Sequence, residues 1–124
     1  MARIIKEINL ASSKDFAEFK KTFMKYQQLF GCTGYKIFFE REKLKNDCAN
    51  ITIRDECRIA TVKLDSALPE REKKDQPIEL LAKHEAIHLL LARYVHYAES
   101  RYVNEEQVIE AEEELVRKLE KLIP

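Results

Sequence analysis

The chain is 124 residues long, 45% apolar and 35% charged, with 22 basic and 22 acidic side chains that cancel to a formal net charge of zero. A chain of that length builds one core and fits one domain, residues 1–124, and its mixture of apolar and charged residues excludes a disordered polymer. The absence of a basic excess argues against nucleic acid as a partner, and no run approaches the ~18 apolar residues of a membrane helix, which argues against a membrane.

The opening Met1-Ala2-Arg3-Ile4-Ile5-Lys6-Glu7 has neither the uninterrupted apolar stretch nor the cleavage pattern of a secretory signal, so a cytoplasmic protein is expected. Cys32, Cys48 and Cys57 are an odd number, contain no Cys-x-x-Cys pair and read as free, partly buried thiols. Two glycines and three prolines suit a mainly helical frame with few elaborate loops. The chain contains no internal repeat and no linker.

The first expected element is a helix over residues 14–30, capped by Ser12 or Ser13. Phe16, Phe19, Phe23, Tyr26 and Phe30 recur at three- and four-residue spacing and form one apolar face, read as core. Gly31 stands where a left-handed cap residue is favoured. Three short strands follow at 35–40, 51–53 and 59–64, the last opening on Ile59 and closing on Leu64. Asp55 and Glu56 form the turn between the second and third. Residues 65–76, which include Pro69, read as a connecting loop.

A second helix starts near Pro77, which the first helical turn tolerates, and runs over 78–98 as the most buried of the set. A third runs over 104–123 behind an Asn104 cap. The expected fold class is α+β: an N-terminal helix, a small three-stranded antiparallel or mixed sheet, a buried helix and a C-terminal helix.

The chemistry sits in the second helix as His84-Glu85-Ala86-Ile87-His88. Residues four apart on a helix stack on one face, so both imidazoles can reach one zinc ion from the same side. Glu85 stands beside the first histidine, placed to act as general base on a metal-bound water. The flanking residues, Ile78-Glu79-Leu80-Leu81-Ala82-Lys83 and Leu89-Leu90-Leu91-Ala92, are mainly apolar. Burying polar groups among them costs free energy unless they are hydrogen-bonded or hold a metal.

A catalytic zinc site needs a third protein ligand and an open position. Leu91 and Tyr94 occupy the places where one group of zinc peptidases has a glycine turn and a third histidine, and His96 is read as a rim residue. The last helix offers Glu105, Glu106, Glu110, Glu112, Glu113 and Glu114. Its apolar stripe, Val108, Ile109, Leu115, Val116, Leu119, Leu122 and Ile123, passes through position 112. Glu112 is therefore the expected buried carboxylate and third ligand. Glu113 and Glu114 face Arg117 and Lys118 as surface pairs.

With the order helix, three-stranded sheet, His-Glu-x-x-His helix and glutamate helix, the chain resembles the minimal gluzincin metallopeptidases, especially the small phage- or prophage-encoded members. The residues that carry the resemblance are His84, Glu85, His88 and the downstream glutamate, best matched by Glu112. The resemblance implies Zn2+ held by His84, His88 and Glu112, with Glu85 as general base. It also implies an extended peptide substrate paired along the strand Ile59 to Leu64 as an added edge. Tyr94, Tyr97, Tyr102 and His96 cluster after the motif and are weighed as oxyanion-stabilising groups, with packing or rim roles favoured.

The leading expectation is a zinc-dependent metallopeptidase that hydrolyses a peptide bond, a single specific protein being one form its substrate takes. The alternative is a zinc-containing protein-binding module of the same fold that cleaves nothing. A weaker one makes the glutamate-rich helix an oligomerisation surface.

Overall fold

The computed structural model describes residues 13–66 and 77–122. Among these residues it is an α+β fold of three helices and a three-stranded mixed sheet. In chain order the elements are α1 (Ser13–Leu29), β1 (Lys36–Glu42), β2 (Ala49–Arg54), a 3-10 turn (Asp55–Cys57), β3 (Ile59–Asp65), α2 (Ile78–Glu99) and α3 (Glu105–Glu120). Ser12, Asp75, Gln76 and Ile123 lie outside the described residues, as does most of the loop expected before α2. No helix among the described residues is long and apolar enough to cross a membrane.

α1 forms because its aromatic residues line one face, and that face goes inward. Phe19 and Phe23 are fully buried and Phe30 nearly so, with Phe16 and Tyr26 packed at the margin. The helix ends where Gly31 adopts φ 71°. Cys32 N–H then bonds Gln27 O at 2.9 Å and Gly31 N–H bonds Gln28 O at 3.0 Å, the two bonds of a Schellman cap.

In the sheet, β3 is central, parallel to β1 and antiparallel to β2. Ala60, Val62 and Leu64 are fully buried against the helices, flanked by Ile37, Phe39, Ile51 and Ile53. Phe38, Thr52 and Arg54 occupy the opposite, exposed face, as the period of two requires. The 3-10 turn joins β2 to β3 as the expected hairpin. It closes at Arg58, which adopts φ 56° and lies over the Tyr35 ring at 5.2 Å.

This order corrects two expectations. Because β3 is hydrogen-bonded on both sides, the strand Ile59 to Leu64 has no free edge for a peptide. Among the described residues the unpaired edges belong to β1 and β2. Asp65, expected as the first loop residue, instead closes β3, where its buried carboxylate accepts the Leu44 N–H at 3.1 Å.

α2 is the most buried helix. Ile78, Leu81, Ala82, Ala86, Leu89, Leu90 and Ala92 pack inward, and Pro77 precedes it as the cap residue. α3 begins with a capping box: Asn104 accepts the Gln107 N–H at 2.9 Å, and the Gln107 side chain accepts the Asn104 N–H at 3.0 Å.

The inward face of α3 differs from the expected one. Ala111 is its buried residue, with Leu115 and Leu122 against the core, whereas Ile109 and Val116 are about half exposed and Glu112 is exposed. The apolar stripe was broad enough to allow several rotations about the helix axis.

Candidate functional site

Two helical turns of α2 build the site. His84 and His88 stack one turn apart with ring centroids 4.9 Å from each other at 73°, and both are exposed. Glu85 follows His84 by 100° around the helix and turns inward, where it is 5% exposed. It and Asp65 are the buried charged side chains among the described residues. Burial pushes the Glu85 carboxyl above the ordinary carboxylate value. His84 and His88 pull it back down, and Asp47 pushes it up further.

The histidine pair lies along the seam between α2 and β2. On one side a groove of about 570 Å³ is lined by Asp47, Cys48, Ala49, Leu81, His84 and Glu85. On the other a groove of about 360 Å³ is lined by Ile51, Ile53, His88, Ala92, Val95 and His96. Both run beside the edge strand β2. The bond from Asp65 N–H to Cys48 O, 2.9 Å, sets the phase of that strand. Backbone groups alternate along an antiparallel ladder, so Cys48, Asn50, Thr52 and Arg54 face β3. Those of Ala49, Ile51 and Ile53 face the open edge.

The expected ligands are only partly brought together. His84 and His88 meet, with Glu85 beside them. Glu112 does not join them. The α3 carboxylates that face α2 are Glu110 and Glu114, and both bind Arg93, Glu110 at 3.1 Å. Glu114 also holds Lys118 at 3.5 Å, the surface pair expected for it. Glu112 sits two residues from each of these, about 200° around the helix, and so points away from α2. Arg93 comes nine residues after His84, half a turn out of phase, so α3 meets α2 on the side away from the histidines. Among the described residues no group of three or more His, Cys, Asp or Glu side chains converges as a metal site.

Tested against zinc, the donor set fits in part. Two stacked, accessible imidazoles are what one helix contributes to such an ion. The carboxylate expected from α3 is not supplied. His96 stands at the rim of the His88 groove, its ring 5.8 Å from Tyr97. Tyr97 lies 5.4 Å from the Arg93 guanidinium, and Tyr102 is 89% exposed.

Three participants left no mark in the sequence. Asp47 lies in a polar loop with no period to point its side chain. Arg93 pairs with α3 through a rotation that the stripe did not determine. The β2 edge became an edge only when β3 inserted between β1 and β2.

Comparison with protein-family models, curated proteins and solved structures finds no match to this chain.

Proposed function

We propose that this chain is a zinc-dependent metallopeptidase whose site lies on the α2–β2 seam. The observation that carries the reading is the stacked, accessible His84–His88 pair with Glu85 between them in sequence, set beside an unpaired strand edge. His84 and His88 would hold the ion from one side of α2. When bound, zinc supplies polarisation of a carbonyl and a water acidic enough to ionise near neutral pH. With the ion bound, Glu85 would take the proton of the attacking water and pass it to the leaving amine. The open edge of β2 aligns the substrate: Ala49, Ile51 and Ile53 offer backbone N–H and C=O groups to an extended peptide, which adds as a fourth strand. Glu112 has no part in this reading.

The short donor set favours a second reading, a module that binds an extended peptide in the same seam and cleaves nothing. Glu85→Gln separates the two. Protein purified without chelator is expected to carry about one zinc per chain and to cleave an unstructured protein substrate. Glu85→Gln keeps the zinc and loses cleavage. Full activity in Glu85→Gln would remove the mechanism, and peptide binding without cleavage by the wild type would establish the second reading.

A further inference from the structure

The two grooves flanking the histidines differ in chemistry, and the one at His88 carries both aliphatic and acidic side chains. Its floor is apolar, built by Ile51 and Ile53 from β2 and by Ala92 and Val95 from α2. Its mouth carries Asp55, Glu56 and Glu99. Asp55 is engaged by the Tyr35 hydroxyl and by Arg58 at 3.9 Å. Glu56 and Glu99 are exposed and make no ion pair with the described residues. Arg54, the Arg that lines this groove, is shared with the outer face of the sheet beside Thr52 and Lys63. Two uncommitted carboxylates therefore dominate the mouth.

A peptide added along β2 places every second side chain on the face of Ile51 and Ile53. One such side chain enters the apolar floor, and its neighbour two residues away reaches the mouth. We infer that the groove selects extended peptides carrying a large aliphatic residue with Lys or Arg two positions from it, on the side that lies towards the C-terminal end of β2. This rests on the strand-addition reading of the seam but not on hydrolysis. The apolar residue gains by leaving water, and the cation gains from two carboxylates that otherwise face solvent.

The test uses blocked heptapeptides with Leu at the centre and Lys, or Glu, both two residues before and two residues after it, bound to the full chain carrying Glu85→Gln and read by fluorescence anisotropy. The Lys peptide is expected to bind at least about threefold more tightly than the Glu peptide, the range of exposed charge pairs. The double variant Glu56→Lys/Glu99→Lys should reverse that order, and replacing the central Leu by Gly should abolish binding of either peptide. Equal affinities, an order that the charge reversal does not move, or no binding of the Lys peptide overturns the inference. The wild-type chain then separates selectivity from hydrolysis. If the preferred peptide binds but mass spectrometry finds it intact, hydrolysis fails while the selectivity stands. If both peptides are cut equally, the selectivity fails while hydrolysis stands.

Discussion

Arg93 binds Glu114 across the α2–α3 interface, and it does so from the side of α2 opposite His84. Nine residues at 100° each separate the two side chains by half a turn beyond two full ones. α3 is therefore fastened to the far side of the helix that carries the histidines, and Glu112 is turned away from both.

Removing that fastening should be felt modestly. Arg93 is about a quarter exposed and Glu110 and Glu114 more so, so solvent discounts the pairs. Arg93→Ala is expected to lower stability by about 0.5–1 kcal/mol in urea unfolding. Glu112→Ala should stay within about 0.5 kcal/mol of the wild type, as exposed positions do. A larger loss at Glu112 than at Arg93 would contradict the rotation of α3.

Zinc should stabilise the chain through the histidines alone. At a free ion concentration a hundredfold above its dissociation constant, a ligand that binds only the folded state adds about 2.7 kcal/mol. Thermal unfolding should move up with zinc in the wild type and in Glu112→Ala. It should not move in His84→Ala or His88→Ala. Loss of the zinc effect in Glu112→Ala would place that carboxylate at the ion.

The thiols should separate cleanly. Cys57 is exposed and Cys32 buried, and burial raises the Cys32 pKa above its ordinary 9.0. In the native protein at pH 8 a disulfide reagent should label Cys57 at once and Cys32 only on unfolding. Tyr35 is also raised above its ordinary 10.0, first by burial and then by Asp55. Both groups hold their protons more tightly when folded. Their contribution is fully present below the unfolded values and is lost as pH rises through the folded ones. Stability measured in urea should therefore fall as pH climbs above about 9. A flat profile there would refute both shifts.

The core aromatics should be costly to remove. Phe23 is fully buried and meets Phe39 edge to face at 5.5 Å. Phe23→Ala should cost about 3–5 kcal/mol, enough to unfold much of a marginal domain. Asn104→Ala, which removes one side-chain cap, should cost about 1 kcal/mol. Comparable losses for the two would mean that α1 packs less tightly than its burial indicates.

What is local was legible without the fold. The aromatic spacing defined α1, the Gly31 and Asn104 caps marked helix ends, and the alternating Ile51–Ile53 segment read as strand, because each depends on neighbours within about one turn. The His84–His88 stacking follows from the same short-range geometry. Other features depend on which surfaces meet. β3 took the centre of the sheet because pairing order depends on chain segments far apart, and the strand edge open to a peptide became that of β2. α3 turned Ala111 inward and set Glu110 and Glu114 on Arg93, one of the several rotations that its broad apolar stripe suited. A helix's periodicity specifies which side chains share a face; what covers that face is decided by packing between elements.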